Sequence, residues 1–300
     1  MKTQIAQKWD VTDIGEPSKI IGIEISRGID YIAISQKRYI ESVLRKENME
    51  RANPVATPLD PNTPIEPNPH PSDENRSNPF ARLLGELQYI ANATRPDISF
   101  AVNRLASYTA NPSTQHYGML KRILRYLAGT RSHGIIYRKS YRLTLPLIRY
   151  TDAAFGNADE KKSTTGLVFL SAGGAILWKS KKQTIIALST TEAEYIALAH
   201  IGTEARWLRN LYNELQLDPH LPIPIRTDSL GADGMASNPY ITQKSRHIDL
   251  KYHSARQLIK LQIIKLETIR NAEQTADVLT KVLPRPKHKQ HVGEMGIAPV

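Results

Sequence analysis

The stretch LIRYTD, residues 147–152, decides the fold of the second half of this chain. It ends a β-strand that the sequence predicts from Leu143 to Thr151, and it places an acid, Asp152, directly after that strand. An acid on a central strand is costly unless it binds a metal or a cation. Because a lone aspartate that closes a strand is usually a turn residue, the companions of Asp152 must decide between the two interpretations.

Outward from this strand, the sequence predicts alternating strands and helices. They are strands at 165–170 and 175–178, a helix at 190–215, a strand at 223–227, a short helix, a helix at 251–260, a strand at 262–269 and a helix that begins at Glu273. The first three strands are expected to be antiparallel and the later ones to be linked by helices. The predicted fold class is therefore α/β, a mixed sheet with flanking helices, over residues 142–297.

The residues before this domain predict a smaller α+β region in three parts. Residues 1–52 contain two β-branched runs that predict a hairpin, followed by a helix. Residues 53–79 hold eight of the 19 prolines, which predicts a linker or an extended surface loop. Residues 80–141 predict amphipathic helices, one of which begins after the signal NPS at 111–113.

Three further acids accompany Asp152. Glu194 shares a helix face with apolar residues, whereas Glu192 fits a capping box that begins at Ser189 and therefore has a structural task. Asp228 ends a strand, with a helix N-cap as the alternative interpretation. Asp277 is predicted in the first turn of a helix, where stabilisation of the helix dipole is the alternative. Phosphodiester hydrolysis with two hard cations roughly 4 Å apart requires several such carboxylates.

The charge of the chain indicates a polyanionic partner. There are 40 Lys and Arg against 29 Asp and Glu, a formal net charge of +11. No acid lies between Asp97 and Asp152, and several cations fall in that segment. The candidate nucleic-acid-binding residues are Lys121, Arg122, Arg125, Arg131 and Arg138. An ordinary amphipathic helix with a solvated basic face is the alternative interpretation of residues 114–127.

Composition excludes several classes of protein. With no cysteine, the chain has neither a disulfide framework nor a thiolate zinc site. No apolar run approaches the roughly 20 residues that span a bilayer, and the start lacks a secretion signal. We expect no membrane partner and an intracellular protein, cytoplasmic or nuclear; the basic stretch at 285–289 is too weak a nuclear signal to choose between these compartments.

Several motifs resemble the ribonuclease H domain of Ty1/copia-type retrotransposon Pol polyproteins. They are YTDAAF at 150–155, KSTTG at 162–166, SKKQ at 180–183, ALSTTEAEY at 187–195, KSRHIDLKYH at 244–253 and ADVLTK at 276–281. The first half is similar to the same polyprotein: IGIEIS at 21–26 resembles the hairpin that positions the primer end in reverse transcriptases. Residues 94–102 and 121–127 match the region beyond that hairpin.

The resemblance implies an activity and a set of roles. Asp152 would bridge two Mg²⁺ ions, with Mn²⁺ as a substitute, Glu194 and Asp228 would complete one site, and Asp277 would support the site that activates water. The substrate would be the RNA strand of an RNA–DNA hybrid, which the 2′-hydroxyl distinguishes from DNA. His200, His247 and His253 stay outside this set.

The sequence also departs from a complete polymerase. A reverse transcriptase needs a Tyr-Xaa-Asp-Asp turn, which is absent here, so the chain is expected to be a C-terminal fragment without polymerase activity. LGADGM at 230–235 replaces a regular helix of the family and predicts weakened catalysis. Two further hypotheses stay open: a catalytically inactive, transposon-derived nucleic-acid-binding remnant, and a structural subunit that associates with an active reverse transcriptase.

Overall fold

A computed structural model describes residues 6–12, 15–69, 79–139, 147–158, 161–217, 221–238 and 250–300. Two five-stranded sheets and eight α-helices are defined within those ranges. His247, Arg142, the predicted boundary at 141–142 and most of the motif at 244–253 lie outside them. In the described part of the chain, no helix combines the length and the apolar character that crossing a membrane requires.

The first sheet is antiparallel and joins residues from both ends of the chain. Its strands, in spatial order, are β1 (Lys19–Ile20), β2 (Ile23–Arg27), β3 (Tyr31–Ser35), β4 (His133–Arg138) and β10 (Ile297–Pro299). The predicted hairpin is confirmed, and left-handed backbone at Ile21 (φ 48°) and Gly22 (φ 78°) interrupts its first run. The pattern did not predict β4 or β10.

Four helices lie between β3 and β4 along the chain: α1 (Lys37–Lys46), α2 (Pro79–Ala93), α3 (Ser99–Ala106) and α4 (Thr114–Gly129). The side chain of Ser113 accepts a hydrogen bond from the His116 backbone N–H (3.2 Å) and so caps α4, as the signal at 111–113 predicts. The apolar stripes of α2 and α4 meet in one core that contains Leu83, Leu87, Leu120 and Ile123. The predicted helical stripes are therefore confirmed.

The described part of the proline-rich segment, residues 53–69, forms no helix or strand and lies along α4. Arg125 Nε donates to the Asn53 carbonyl (2.8 Å), and the His116 ring bonds the Glu66 carbonyl (2.9 Å) near the other end of the helix. The prolines prevent regular ladders, and side chains of α4 satisfy the carbonyls instead. The division of the chain into domains at 52, 79 and 141 stays a prediction.

The strand predicted at 143–151 is central in the second sheet, where the described residues place it at Ile148–Ala154, so that Asp152 lies within the strand. The strands of this sheet, in spatial order, are β7 (Gly174–Lys182), β6 (Thr164–Ser171), β5 (Ile148–Ala154), β8 (Ile223–Thr227) and β9 (Ile264–Thr268). The strands β5, β6 and β7 pair antiparallel, whereas β8 is parallel to β5 and to β9. This mixed sheet with flanking helices confirms the predicted ribonuclease H-like fold class.

The helices of this half are α5 (Thr190–Glu214), α6 (Leu230–Ser237), α7 (Ser254–Lys260) and α8 (Arg285–Glu294). Ser189 caps α5 by accepting the Glu192 N–H (3.2 Å), as predicted, while the Glu192 carboxylate accepts the Leu188 N–H (2.9 Å) rather than that of the cap. Tyr195 of α5 and Phe169 of β6 are fully buried in one hydrophobic core. Glu192 thus has the structural task that its position predicts.

One prediction about the second half is wrong and another is confirmed. No α-helix begins at Glu273: residues 271–273 and 275–279 form 3₁₀ helices, and α8 begins only after Pro284, which cannot continue a helix. The short helix predicted after the strand at 223–227 is confirmed, because α6 forms there and includes both glycines of LGADGM. The weakened catalysis expected from this stretch stays a prediction. A Cβ on Gly231 would lie 2.8 Å from Thr191 Oγ1, so this glycine allows α6 to approach α5.

Candidate metal centre

Asp152 lies on the central strand of the second sheet, opposite Gly166 of β6, and is 1% exposed. A Cβ on Gly166 would come within 2.5 Å of Thr280 Cγ2 and 3.0 Å of the Ala276 carbonyl oxygen. The absence of a side chain at Gly166 therefore lets the 3₁₀ helix at 275–279 pack on the strand beside the carboxylate.

Glu194 reaches the same place from the first turns of α5, which packs against β5. Its Oε2 is buried and has no hydrogen-bond partner. Burial, the charge of Asp152 and, more weakly, that of Asp228 raise the pKa of Glu194 to about 9, against a hydrogen bond from the Ala153 backbone that lowers it. An unpaired buried oxygen beside other acids is the arrangement that a bound cation would relieve.

Asp228 follows β8 directly, and side chains of the segment after β9 orient it. Asn271 Nδ2 donates to Oδ2 (3.0 Å) and Gln274 Nε2 donates to Oδ1 (3.2 Å). Gln274 is fully buried and also donates to the Thr151 carbonyl (2.9 Å), which ties Asp228 to the central strand. The N-cap interpretation of Asp228 is wrong, because Ser229 caps α6 by accepting the Ala232 N–H (3.2 Å).

Three of the four predicted acids converge. Oxygens of Asp152, Glu194 and Asp228 all lie within 4.8 Å of one another. Three elements supply them: the central strand, the start of the long helix and the end of β8. Hard divalent cations prefer such carboxylate oxygens, and the buried Glu194 Oε2 leaves a ligand atom that no protein group uses.

Asp277 lies beside these three acids, but its carboxylate forms an ion pair with Lys281. It is 2% exposed in the 3₁₀ helix at 275–279, and its Oδ1 accepts a hydrogen bond from Lys281 Nζ (2.6 Å). The same ammonium lies 3.2 Å from Asp152 Oδ2, which also accepts a hydrogen bond from the Thr280 hydroxyl. Burial and the charge of Asp152 raise the pKa of the Asp277 carboxyl, and Lys281 opposes that shift.

Sequence reasoning missed four residues of this centre: Asn271, Gln274, Thr280 and Lys281. Lys281 follows Asp277 by four residues, the spacing of a helical ion pair, which is a signal that could have found it. Thr280 lay in a quoted motif without a role. Asn271 and Gln274 carried no signal, because a predicted helix covered Gln274 and nothing in the spacing relates either residue to Asp228.

The five predicted nucleic-acid-binding cations have different environments. Arg122 pairs with Asp60 (3.4 Å) and Arg125 bonds to Asn53, so both hold the proline-rich segment. Lys121 is exposed on α4, with its ammonium 5.0 Å from the centre of the Tyr117 ring. Arg131 and Arg138 are exposed at either end of β4. Their role in binding nucleic acid stays a prediction.

The two described histidines that were left outside the catalytic set pack against tyrosines. The His253 ring bonds the Tyr195 hydroxyl (2.8 Å), and the His200 ring lies 6.2 Å from that of Tyr252. The exclusion of both histidines from the catalytic set stays a prediction.

Comparison with known proteins shows what the sequence of this chain resembles. Residues 1–61 match the family model described as reverse transcriptase (RNA-dependent DNA polymerase). The chain is 37% identical over 296 residues to the retrovirus-related Pol polyprotein from transposon TNT 1-94 of Nicotiana tabacum, covering 96% of this chain and 22% of that protein. It is 36% identical over 299 residues to the Pol polyprotein from transposon RE1 of Arabidopsis thaliana, covering 99% and 20%.

Among solved structures, the chain is similar to LC11-RNase H1, isolated from compost by a metagenomic approach, with 17% identity, a TM-score of 0.35 and coverage of 45% of this chain and 92% of that one. The chain spans about a fifth of the length of the curated polyproteins that it matches. The resemblance to retrotransposon Pol polyproteins that the sequence motifs indicate is therefore confirmed over nearly the whole length of the chain.

Proposed function

We propose that this chain carries a ribonuclease H-type endonuclease that cleaves the RNA strand of an RNA–DNA hybrid by two-metal hydrolysis, with Mg²⁺ as cofactor and Mn²⁺ as a substitute. The observation that carries the proposal is the convergence of Asp152, Glu194 and Asp228 to within 4.8 Å. The buried, unpaired Oε2 of Glu194 supports it, because a purely structural acid would have a partner.

The residues fit a divalent cation. Asp152, Glu194 and Asp228 would hold one ion, and Asp152 with Asp277 would hold a second. Bound Mg²⁺ would supply Lewis-acid chemistry, which makes water a better nucleophile and stabilises the departing oxygen. Asn271 and Gln274 orient the Asp228 carboxylate through their amide groups, so that its oxygens face the other acids.

The substrate class rests on charge and on the family. A net charge of +11 favours a polyanion, and exposed cations such as Lys121, Arg131 and Arg138 are available to bind phosphates. RNA differs from DNA at the 2′-hydroxyl, which such a site must recognise to cut one strand of a hybrid.

Cleavage of a labelled RNA–DNA hybrid in Mg²⁺ tests the proposal. We expect the full chain to cut the RNA strand, and Asp152→Asn to lose cutting by a factor of at least about 10² while it retains hybrid binding. Asp233→Asn is a matched control, because Asp233 is an acid of α6 that bonds Ser237 and Thr268 outside the metal centre. Equal cutting by wild type and Asp152→Asn would refute the assignment.

A second candidate function is that of a catalytically inactive nucleic-acid-binding remnant. The ion pairs of Lys281 with Asp152 and Asp277 favour it, since they neutralise two of the four acids without a metal. Hybrid binding without any cutting by wild type, in either Mg²⁺ or Mn²⁺, would support the remnant over the enzyme.

Association with an active reverse transcriptase is part of the proposal, and the reverse transcriptase match over residues 1–61 supports it. It predicts hybrid affinity that rises when a polymerase from the same family is added. Unchanged affinity over a full titration would argue against such a partner.

A further inference from the structure

Lys281 divides the acidic centre into two unequal halves. On one side of Asp152, oxygens of Glu194 and Asp228 face it with no cation between them among the described residues. On the other side, Lys281 Nζ lies 2.6 Å from Asp277 Oδ1, 3.2 Å from Asp152 Oδ2 and 3.4 Å from Asp152 Oδ1. The ammonium thus sits between the two carboxylates that a second divalent ion would have to share.

The backbone around Lys281 holds its side chain at this point. The Lys281 N–H donates to the Asp277 carbonyl (2.9 Å), which places the two side chains one helical turn apart. The adjacent Thr280 hydroxyl donates to Asp152 and to the Asp277 carbonyl. This turn fixes the position of the ammonium. The turn can pack closely against β6 because Gly166 has no side chain.

An ammonium and a divalent ion cannot share this position. Mg²⁺ requires oxygens at about 2.0–2.1 Å in octahedral geometry. Two cations a few ångströms apart also repel each other strongly in a buried site. The Lys281 side chain is 36% exposed, whereas those of Asp152 and Asp277 are 1% and 3% exposed, so the lysine has a path to solvent and the acids do not.

We propose that Lys281 is an exchangeable internal cation, which holds Asp152 and Asp277 together until a second divalent ion displaces it. The inference rests on the proposed metal-dependent function and adds an order to ion binding. The first ion binds Asp152, Glu194 and Asp228 with Lys281 in place. The second binds more weakly, because it must break both ion pairs of the lysine. Lys281 is then a positioning residue that sets the ion concentration at which the centre becomes complete.

Calorimetric titration of the full chain with Mn²⁺ tests this order without any measurement of activity. We expect wild type to bind one ion tightly and a second at least about tenfold more weakly. Lys281→Met keeps the length of the side chain and removes its charge, so it should tighten the second ion roughly tenfold and leave the first unchanged within about threefold. Lys281→Arg keeps the charge and should behave like wild type. Lys265→Met is the matched control, because it removes an ion pair with Glu267 (2.8 Å) on the solvent-facing side of β9.

The outcomes separate this inference from the proposed function. No Mn²⁺ binding by wild type would refute the metal centre and the inference together. A normal first ion with an unchanged second ion in Lys281→Met, or equal tightening in Lys281→Arg, would refute the inference alone.

A measurement on wild type covers the case in which Lys281→Met fails to fold. Crystals soaked in increasing Mn²⁺ should show one anomalous peak among Asp152, Glu194 and Asp228, and then a second peak beside Asp277 with Lys281 turned to solvent. A second peak with Lys281 Nζ still within 3.5 Å of both Asp152 and Asp277 would overturn the proposal.

Discussion

At the scale of single residues, burial beside two other acids makes the ionisation of Glu194 depend on folding. Its pKa of about 9 means that the folded protein keeps this carboxyl protonated at neutral pH, whereas the unfolded chain ionises it near its ordinary value of 4.5. The unfolded state therefore releases a proton that the folded state retains. As the pH rises from 4.5 towards 9, the free energy of unfolding contributed by this group must fall.

This reasoning predicts the effect of Glu194→Gln on stability. In EDTA, the Tm of wild type should fall more steeply between pH 5 and pH 9 than that of Glu194→Gln, and at pH 9 the variant should be more stable by roughly 2 kcal/mol, or about 5 °C. Thermal unfolding followed by circular dichroism measures both curves. Adding Mg²⁺ should raise the Tm of wild type and not that of the variant. If the Tm of wild type and that of Glu194→Gln changed in parallel with pH in EDTA, the raised pKa of Glu194 would be contradicted.

The sequence predicted the acids of the site, but it did not predict the residues that form hydrogen bonds and ion pairs with them. A carboxylate on a central strand is conspicuous, because the cost of burying it is known from its residue type alone. The partners are ordinary polar residues, and only folding brings Thr280 and Lys281 to Asp152 across more than 120 positions of chain. A pattern of spacing within one helix or strand cannot reveal contacts between residues so far apart in the sequence.

At the scale of elements, the two glycines of α6 have different tasks. A Cβ on Gly231 would meet Thr191 Oγ1 at 2.8 Å and Thr191 Cγ2 at 3.0 Å, whereas a Cβ on Gly234 would have nothing within 4 Å. Gly231 therefore sets how closely α6, which follows Asp228, approaches the start of α5, which carries Glu194. Gly234 lies at an open position, where the methyl group of alanine would cause no steric clash.

Alanine at each position should therefore act in opposite directions. Gly234→Ala should raise the free energy of unfolding by about 0.5–1 kcal/mol through helix propensity. Gly231→Ala should lower it by roughly 1–2 kcal/mol, because Thr191 must shift, and should also weaken the binding of the first Mn²⁺ ion. Urea unfolding and calorimetry of the two variants check these values. A gain in stability for Gly231→Ala would show that the close approach is not needed.

Elements with strong local patterns were predictable, and those that depend on distant partners were not. The bounds of β8 agree with the prediction, and α5 ends within one residue of it, because both have clear apolar periodicity and α5 has a clear cap. The α-helix expected from Glu273 does not form, because Gln274 and Asp277 contact the acidic cluster and these tertiary contacts replace α-helical hydrogen bonds. The strand β4 was not predicted, because residues 80–141 were assigned as a whole to amphipathic helices.

At the scale of the whole molecule, a net charge of +11 predicts hybrid binding that weakens steeply with salt. The structure divides the candidate cations on α4 into one exposed residue and two engaged ones. Lys121→Gln should reduce the slope of log affinity against log salt by roughly 1, as expected for one lost phosphate contact. Arg122→Gln should leave the slope nearly unchanged and lower stability instead, because Arg122 pairs with Asp60 and donates to Thr57.

Fluorescence anisotropy with a labelled hybrid at several salt concentrations measures these slopes. Equal reductions by the two variants would mean that nucleic acid displaces the proline-rich segment from α4. In that case residues 53–69 would be a displaceable segment that covers the basic face of α4 in the absence of nucleic acid.

The pairing of β10 with β4 has a consequence for how the molecule is made. A ribosome delivers β1 to β4 early, yet one edge of β4 stays open until residues 297–299 emerge, after the entire second sheet has been synthesised. An open edge attracts other strands, so the nascent first half faces a long interval of exposure to aggregation or chaperones. Closure of that edge follows synthesis of the second sheet, and it couples completion of the first sheet to the synthesis of residues 297–299.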